Sequence, residues 1–363
     1  MKILQVINSL GLAGAERLVS EMAPIMNHMG HQTDVLVFNG TKSAFICDLQ
    51  KQGVTVHVLG QKNGEYNPMM VFRLKHYLNA YDIVHVHLFP SQYWVALAAK
   101  IFGSRAKIVT TEHNNYNARC KYWLTSWMDR KVYSCYDAIT VISDATLEFM
   151  KKRSPESVPL YLIINGVNVE KFTASISTRD RLLPQIGNDK FILMQVACFR
   201  LQKNQACLIR ALKHLPDNVV AVFVGDGETM DACRSLAKNM NLESRTYFLG
   251  SRNDVPELLA LADIAVMSSH WEGFGLSAVE AMASGKPVIA SDVDGLKQVV
   301  EGYGLIFRED DAIDLSIKIL SLYNDPDVRK QMAERCRLRS LDFDIRHMVR
   351  SYLDCYQKII NQN

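Results

Sequence analysis

The sequence lacks several features that would restrict its class. No apolar run approaches the roughly 18–20 residues of a membrane-spanning helix, and the start MKILQVINSL, which has no cleavage site, predicts a first strand rather than a signal peptide. The 8 cysteines form no C-x-x-C pair, which argues against a metal or disulfide framework and indicates reduced thiols. A net charge of +3 is too small to indicate nucleic acid as a partner. We therefore expect a globular protein that is cytoplasmic or peripheral to a membrane.

At 363 residues, the chain is long enough for two domains. Short, continuous apolar runs alternate with helical stretches, which predicts parallel sheets covered by helices on both faces. In the first half the runs are Lys2–Ile7, Thr33–Phe38, Val54–Leu59, Ile83–Leu88, Ile108–His113, Ala138–Ser143 and Tyr161–Asn165. In the second half they are Phe191–Val196, Val219–Gly225, Thr246–Gly250, Ile264–Ser268, Pro287–Ser291 and Leu305–Phe307. Two doubly wound, Rossmann-like domains follow, with ligands expected at the carboxyl ends of the strands.

The boundary between the two halves is expected near residues 165–170, because the polar stretch 173–190 begins the second half. At the other end of the chain, Met348–Ile360 has the apolar spacing of an amphipathic helix.

The stretch EGFGLSAVE at residues 272–280 is the strongest functional signal. Glu272 and Glu280 flank a glycine-rich turn, and a carboxylate accepts two hydroxyl hydrogen bonds at once, which suits the vicinal diols of sugars. Gly273 and Gly275 let the backbone approach a ligand closely. The helix predicted to begin near Leu276 directs its free N–H groups at the same turn, where they can bind a phosphate. The pattern predicts a nucleotide-sugar site.

This stretch resembles the signature of the family 4 retaining glycosyltransferases, of the bacterial polysaccharide and lipopolysaccharide type. The family pattern is two glutamates separated by seven residues and then A-M-A-x-G-x-P-V-I-A, which residues 281–290 match. The resemblance implies the GT-B fold, two Rossmann-like doubly wound α/β domains that face each other across a cleft. We expect an N-terminal acceptor-binding domain of residues 1–167 plus about 343–363, and a C-terminal donor-binding domain of residues 168–342.

The resemblance implies transfer of a hexose or N-acetylhexosamine from a nucleotide diphosphate sugar to a glycan or lipid-linked glycan, with retention at the anomeric carbon. We expect a UDP-sugar rather than a GDP-sugar. In the family, Glu272 would bind hydroxyls of the transferred sugar, and Glu280 would bind the ribose. The backbone of Phe274, Gly275 and Leu276 would meet the sugar and the phosphates.

Two cations follow the strand FILMQV. Arg200 and Lys203 lie just past its carboxyl end, where positive charge suits a pyrophosphate. They resemble the family's arginine and lysine that bind the donor diphosphate, although many members place these residues five apart rather than three. An exposed basic loop is the alternative interpretation.

Three further residues extend the predicted donor site. Gly225 lies in the VGDGE turn, which resembles the G-x-G turn of the family's donor domain. Arg252 lies in a segment that resembles the loop beside the nucleobase, although a surface arginine is an equally simple explanation. Gly14 belongs to a glycine turn that follows the first strand and resembles the family's G-G-A-E-R opening, with Ala13 in place of the first paired glycine.

Histidines end two strands of the first half. His113 follows a strand in TTEHN and could bind a sugar hydroxyl and stabilise charge near the anomeric carbon. In the family, a histidine at this location lies beside the transferred sugar. His87, in VHVHLF, could touch the acceptor or the sugar, whereas the alternating His85 is expected to face the core.

No metal or other cofactor is expected. Asp292-Val293-Asp294 and Asp342-Phe343-Asp344 have the D-x-D form that holds a divalent cation in a different glycosyltransferase fold. Here Arg200, Lys203 and a helix N-terminus already supply positive charge for the diphosphate. We expect both motifs to be loop aspartates and the enzyme to be metal-independent.

The acceptor side carries a basic, aromatic stretch, Tyr116–Tyr133, which includes Arg119, Lys121, Trp123 and Trp127. Cations mixed with aromatic side chains suit an anionic bilayer surface or a lipid diphosphate. We predict a peripheral enzyme at the inner face of the plasma membrane, with Arg119 and Lys121 near the acceptor. The alternative for this stretch is an ordinary helix with a packed aromatic face and a solvated basic face. For the whole chain, the alternatives are a non-catalytic nucleotide-sugar-binding partner subunit and a GT-B sugar epimerase.

Overall fold

A computed structural model describes residues 1–11, 14–41, 43–61, 64–113, 123–174 and 177–362. The chain divides into two compact units. The first unit contains Met1–Gly166 and Ile345–Asn363, and the second contains Val167–Asp344. Among the described residues, no helix has both the length and the apolar character needed to cross a membrane.

The first unit is built on a parallel sheet with the strand order β3-β2-β1-β4-β5-β6-β7. Its strands are β1 (Lys2–Ile7), β2 (Gln32–Val37), β3 (Val56–Val58), β4 (Ile83–His87), β5 (Lys107–Glu112), β6 (Ala138–Val141) and β7 (Leu160–Leu162). Its helices are α1 (Gly14–His28), α2 (Ala44–Lys51), α3 (Met70–Leu74), α4 (Ser91–Phe102), α5 (Trp123–Tyr133), α6 (Asp144–Lys151) and α16 (Ile345–Asn361), with 3₁₀ turns at Gly64–Tyr66 and Tyr77–Asn79.

Both faces of this sheet are buried, which explains the continuous apolar runs of its strands. Along β1, Ile3 and Ile7 pack on the face covered by α1 and α16. The alternating Leu4 and Val6 pack on the opposite face, against side chains of α3 and α4. This alternation follows from the two-residue repeat of a strand, so one strand supplies both cores.

The carboxyl-terminal helix α16 is part of the core of the first unit. Its buried face includes Met348, Val349, Tyr352 and Tyr356, which cluster with α1 and the sheet. Spacings of one, three and four residues place these side chains on one side of a helix, as the amphipathic pattern predicts.

The second unit contains a second parallel sheet, with the strand order β10-β9-β8-β11-β12-β13. Its strands are β8 (Phe191–Val196), β9 (Val219–Val224), β10 (Thr246–Phe248), β11 (Ile264–Met267), β12 (Val288–Ser291) and β13 (Leu305–Phe307). Its helices are α7 (Val169–Thr173), α8 (Arg179–Leu182), α9 (Gln205–Leu212), α10 (Met230–Asn239), α11 (Val255–Ala260), α12 (Leu276–Ala283), α13 (Asp294–Val300), α14 (Ala312–Tyr323) and α15 (Pro326–Ser340), with 3₁₀ turns at Leu201–Lys203, Glu243–Arg245 and Leu341–Phe343.

The predicted fold class of two doubly wound, Rossmann-like parallel sheets is confirmed. Each apolar run singled out in the sequence overlaps one strand, and three of them match the strand bounds: Lys2–Ile7, Phe191–Val196 and Leu305–Phe307. Each sheet also has one position where the chain order reverses between neighbouring strands. It lies between β1 and β4 in the first unit and between β8 and β11 in the second. Ligands of such sheets bind beyond the carboxyl ends of the strands at these positions.

Candidate active site

The turn that carries Lys203 follows β8 and is fixed by polar side chains on both strands of the reversal point. Gln195 Nε2 donates a hydrogen bond to the carbonyl oxygen of Lys203 at 2.9 Å. The hydroxyl of Ser268, just past β11, donates to the carbonyl oxygen of Asn204 at 2.8 Å. Asn204 adopts a left-handed backbone with φ 44°, a conformation that asparagine tolerates better than most residues. The turn is thus held at the edge of the sheet.

Lys203 and Glu272 form a close ion pair at this edge, through Nζ and Oε2. Their side chains are 20% and 16% exposed, and the hydroxyl of Ser269 lies 3.4 Å from the same carboxylate oxygen. The segments after β8 and β11 therefore bring together the two side chains that the sequence assigned to the diphosphate and to the transferred sugar.

Arg200 lies beside this pair along the chain but differs from Lys203 in its contacts. Its carbonyl oxygen accepts a hydrogen bond from the Lys203 N–H at 2.9 Å, and its side chain is exposed. Within the part of the chain that the structure describes, the guanidinium makes no hydrogen bond or ion pair. It is therefore available to an anionic ligand.

Glycine is required at position 225, because the turn after β9 approaches the loop after β8 closely there. Its φ is 137°, and a Cβ at this position would lie 2.0 Å from the carbonyl oxygen of Ala197. Its N–H donates to the carbonyl oxygen of Gly250 at 2.9 Å. Two residues on, a Cβ at Gly227 would lie 2.3 Å from the carbonyl oxygen of Phe199. Gly225 thus allows a close approach to the loop that leads into Arg200, and contact of Gly225 with the donor stays a prediction.

The glycine-rich turn after Glu272 leads directly into α12, which begins at Leu276. Gly275 has φ 98°, and a Cβ there would come within 2.7 Å of the Leu296 side chain. Phe274 is buried and packs against Phe343, with the ring centroids 5.4 Å apart, so only its backbone is available to a ligand. The turn contains Gly273, and it presents the amino end of α12, where the first N–H groups of a helix have no partner within the helix.

Glycine is also required at position 295, opposite this turn. A Cβ on Gly295 would lie 2.4 Å from the carbonyl oxygen of Glu272 and 2.9 Å from the carbonyl carbon of Gly273. The amino-terminal end of α13 thus packs directly on the backbone of the turn. Nothing in the local sequence marked Gly295, because the close approach joins segments that are far apart in the chain.

Glu280 and Arg252 are the two other side chains predicted to contact the donor. Glu280 is 5% exposed on α12, so it is not the helix-surface glutamate that its position alone would allow. The Arg252 guanidinium forms a two-point ion pair with Asp254, with Nε 2.8 Å from Oδ1. Hydrogen bonding to Arg252 lowers the pKa of Asp254. Contact between Arg252 and the nucleobase stays a prediction.

In the first unit, three predicted residues lie at the carboxyl edge of neighbouring strands. Gly14 opens α1 after β1, His87 ends β4, and His113 directly follows β5. His113 Nε2 lies 3.0 Å from His87 Nδ1, and the Nε2 of His87 lies 2.9 Å from the side-chain oxygen of Gln5. His87 is fully buried and both of its ring nitrogens are engaged, so in this structure it supports His113. Its contact with the acceptor or the sugar stays a prediction.

Burial determines the charge of these histidines. Desolvation lowers the pKa of His113 to about 4. Desolvation, and then the neighbouring His85 and His113, hold the pKa of His87 well below 6.5. At neutral pH both rings are therefore neutral. His113 can form a hydrogen bond with a substrate hydroxyl, but it carries no positive charge with which to stabilise an anion.

The remaining predictions concern the acceptor and metals. Arg119 and Lys121 lie outside the described residues. Within the described ranges, no group of three or more His, Cys, Asp or Glu side chains is arranged to hold a metal ion. In the first D-x-D motif, Asp292 pairs with Lys297 at 3.0 Å, and in the second, Asp342 pairs with Arg339 at 2.9 Å.

Models of two protein families match this chain. The model described as Glycosyltransferase Family 4 matches residues 12–171, and the model described as Glycosyl transferases group 1 matches residues 179–339. The first match ends, and the second begins, shortly after the start of the second unit at Val167. Together the matches extend over most of the chain.

Two curated relatives are similar over much of their length. The chain is 29% identical over 292 residues to the Escherichia coli UDP-Gal:α-D-GlcNAc-diphosphoundecaprenol α-1,3-galactosyltransferase, which covers 76% of this chain and 75% of that protein. It is 26% identical over 366 residues to the Campylobacter jejuni N-acetylgalactosamine-N,N'-diacetylbacillosaminyl-diphospho-undecaprenol 4-α-N-acetylgalactosaminyltransferase, which covers 93% of this chain and 94% of that protein.

A solved structure has the same fold. The crystal structure of Anabaena HepE in complex with UDP and glucose matches with a TM-score of 0.87 over 98% of this chain and 99% of that chain, at 22% identity. Sucrose-phosphate synthase from Thermosynechococcus elongatus matches over the full length of both chains with a TM-score of 0.83, at 19% identity. These matches confirm the predicted GT-B fold.

Proposed function

Since this chain belongs to the family 4 glycosyltransferases with the GT-B fold, we propose that it transfers a hexose or N-acetylhexosamine from a UDP-sugar to a lipid-linked glycan. The second unit would bind the donor, and the first would bind the acceptor. The proposal rests chiefly on one observation, namely that Lys203 and Glu272 form an ion pair just before the amino end of α12, at the strand-order reversal of the second sheet. The exposed Arg200 precedes Lys203 in the same turn.

The relatives support the substrate classes. The Escherichia coli relative is named for UDP-Gal and a diphosphoundecaprenol acceptor, and the Campylobacter jejuni relative is named for a diphospho-undecaprenol acceptor. The HepE structure contains UDP and glucose. Neither alternative, a non-catalytic subunit or an epimerase, is supported by these proteins.

The chemistry requires stabilisation of a departing diphosphate while the sugar acquires oxocarbenium character. The exposed Arg200 supplies a cation that is not engaged elsewhere among the described residues, and the amino end of α12 supplies N–H groups. Fixed positive groups of this kind lower the barrier because they need no reorganisation as charge develops. We propose that they replace a metal ion.

We propose that transfer retains the anomeric configuration. Glu272 is paired with Lys203, which suits a carboxylate that binds hydroxyls better than one that attacks carbon. The diphosphate leaving from the same face would then accept the proton of the acceptor hydroxyl. NMR of the first-formed product tests this step, and the opposite anomer would disprove it.

Donor binding can be tested by thermal-shift measurements with UDP, GDP and their sugars, with and without EDTA. UDP at about 100 times its Kd should stabilise the chain by roughly 2.7 kcal/mol and so raise the melting temperature. The rise should be equal with and without EDTA, because the proposed donor site uses no metal ion. Arg200→Gln should reduce this shift, and Arg181→Gln, at an exposed arginine of the same unit, should preserve it. A shift that requires divalent metal, or no shift with any nucleotide, would contradict the proposed donor site.

We further propose that the first unit docks on an anionic membrane at the cytoplasmic face. On α5, Trp123 and Trp127 are 81% and 56% exposed, so the aromatic face of this helix is not packed in the core. Lys131 lies over the Trp127 ring at 5.8 Å. The neighbouring helix α4 exposes Leu97 and Ile101. Exposed tryptophans with adjacent lysines suit a bilayer interface.

Sedimentation with phosphatidylglycerol vesicles at low salt tests this surface. Trp127→Ser should weaken binding, whereas Leu338→Ser, at a similarly exposed apolar side chain of the second unit, should not. Binding should also fall as salt rises, because salt screens the attraction to anionic lipid. Failure of the unmodified chain to sediment would disprove membrane docking and leave the donor site untouched.

A further inference from the structure

A series of buried hydrogen bonds crosses the sheet of the first unit, from His113 to α16. Each link joins two uncharged polar groups, and the links fall on β1, β4, β5 and α16. In order they are His113 Nε2 to His87 Nδ1 at 3.0 Å, His87 Nε2 to Gln5 Oε1 at 2.9 Å, Gln5 Nε2 to Tyr356 Oη at 3.4 Å, Tyr356 Oη to His85 Nδ1 at 2.6 Å, and His85 Nε2 to Thr111 Oγ1 at 2.6 Å.

A proton directed toward the core at one link fixes the direction of every link nearer to His113. A neutral imidazole has one donor and one acceptor nitrogen, and a hydroxyl that donates inward has no second proton for its outer neighbour. The carboxamide of Gln5 likewise presents oxygen at one end and N–H groups at the other. The hydrogen bonds at the inner end of the series therefore decide the tautomer of His113.

The inner end of the series favours protons directed toward the core. Thr140 Oγ1 lies 3.3 Å from the carbonyl oxygen of Thr110, which can only accept. Once Thr140 donates there, the 2.6 Å contact between the Thr111 and Thr140 hydroxyls must use the proton of Thr111. Thr111 then has no proton left for His85, so His85 Nε2 must be the donor in their contact.

Gln5 gives the same answer from the middle of the series. The carboxamide nitrogen lies 3.7 Å from the thioether sulfur of Met26 as well as near Tyr356. Sulfur accepts hydrogen bonds but has no proton to donate, so the N–H end of Gln5 belongs on this side. The oxygen of Gln5 then faces His87 and accepts its Nε2 proton.

It follows that His87 Nδ1 carries no proton and accepts from His113 Nε2. His113 is then the Nε2–H tautomer, and its Nδ1 keeps a lone pair. Among the described residues, Nδ1 of His113 has no hydrogen-bond partner. Nδ1 of His113 is thus an acceptor, which a hydroxyl proton fits and a carbonyl or phosphate oxygen does not.

We propose that Gln5, His87 and Tyr356 are positioning residues that hold His113 as a neutral hydrogen-bond acceptor for a substrate hydroxyl. The inference deepens the proposed glycosyltransferase function and rests on it for the identity of the substrate. It gives α16 a role beyond packing, because Tyr356 on that helix helps to set the tautomer of His113, which directly follows β5.

Burial makes the arrangement costly to change. Gln5, His85, His87 and Tyr356 are fully buried, so a reversed or missing link would leave a polar group without water or a partner. A buried polar group without a partner destabilises the fold, because it loses its hydrogen bonds to water and gains none in return. Burial also lowers the pKa of each histidine in the series, which keeps the rings neutral at neutral pH.

The tautomer can be read directly in the full ligand-free chain labelled with ¹⁵N at histidine. Long-range ¹H–¹⁵N spectra at neutral pH distinguish a protonated from a bare ring nitrogen, and the His113 signals are those absent in His113→Asn. We expect a bare Nδ1 and a protonated Nε2. A protonated Nδ1 in the unmodified chain would overturn the proposal, whatever the variants do.

Two variants test the positioning role. Gln5→Met removes the acceptor for His87 and should produce a detectable Nδ1–H population of His113. Tyr356→Phe should also perturb the signals, and Tyr161→Phe, a phenol outside the series on β7, should not. An unchanged His113 tautomer in Gln5→Met would refute the role assigned to Gln5.

Kinetics connect the tautomer to the reaction. In Gln5→Met, kcat/KM should fall about tenfold, the size of one hydrogen bond to the substrate. Equal kcat/KM values in Gln5→Met and the unmodified chain would refute a role in the reaction. The spectra need no substrate, so a failure of the proposed transferase activity would be distinguishable from a failure of the positioning series.

Discussion

The burial of His113 predicts a pH-dependent stability of the first unit, with a sign and size that can be worked out. Its pKa is lowered from 6.5 to about 4 in the folded chain, chiefly by desolvation. Below pH 6.5 the unfolded state therefore binds a proton that the folded state excludes. Stability is fully present above pH 6.5 and is lost as the pH falls toward 4.

The magnitude follows from the same two pKa values. Between pH 7 and pH 5, a histidine with these values removes about 2 kcal/mol from the free energy of unfolding. His85 and His87, whose pKa values are also lowered, contribute in the same direction. Because a whole domain is stable by only about 5–15 kcal/mol, the change is large enough to measure.

Urea unfolding at pH 7 and pH 5 is the appropriate assay, followed by tryptophan fluorescence in a Trp271→Phe background. The other three tryptophans of the sequence, Trp94, Trp123 and Trp127, belong to the first unit, so the signal reports on that unit. The perturbation is His113→Asn, and the matched control is His347→Asn, because His347 is exposed on α16.

The unmodified protein should lose about 2 kcal/mol more between the two pH values than His113→Asn. His347→Asn should behave like the unmodified protein, because an exposed imidazole meets water in both states. If His113→Asn keeps the full pH dependence of the unmodified chain, desolvation of His113 does not cause that dependence and the prediction is refuted.

Three further predictions concern the second unit. Arg200→Gln should lower kcat by a factor of about 10²–10³. Because the side chain is exposed, the free energy of unfolding should change by less than about 0.5 kcal/mol. Rate measurements and urea unfolding test the two effects, and a large loss of stability would contradict a ligand-binding role. Gly225→Ala should destabilise the unit by about 2–4 kcal/mol, because φ is positive there and the new Cβ would clash with the backbone of Ala197. The control Gly250→Ala, where φ is also positive but the space is open, should cost only about 1 kcal/mol. Equal urea midpoints for the two variants would contradict the close approach at Gly225. Phe274→Ala should cost about 3–5 kcal/mol, because the ring is buried, and a wild-type urea midpoint would show that it is not.

The strands were predictable because burial on both faces leaves a direct trace in the sequence. A parallel strand between two layers of helices is apolar throughout, as the sequence VVAVFV of β9 is. The order of the strands in the sheet cannot be predicted from the apolar runs. The reversal between β8 and β11 depends on which strands pair, yet it is what brings Lys203 and Glu272 together.

The candidate site was predictable where neighbouring residues carry it and unpredictable where distant segments meet. The turn from Glu272 to Leu276 is continuous, so its glycines and carboxylate were visible together. Gln5 and Tyr356 are 351 residues apart, and their contact has no local sequence signal. One available indication was the polar Gln5 inside the apolar strand KILQVI, because a buried polar side chain needs a partner.

The contacts of the two cations beside the glycine-rich turn imply different tasks. Lys203 is partly buried and already compensated by Glu272, so neither side chain remains an unpaired charge in a partly dry site before the donor binds. Arg200 is exposed and has no such partner among the described residues, so water can compensate its charge until an anion replaces it. A diphosphate would therefore meet one cation that is free and one that is held in place by the same carboxylate proposed to bind the sugar. Because Lys203 and Glu272 are paired in this way, a substitution of either residue should weaken binding of both the diphosphate and the sugar of the donor.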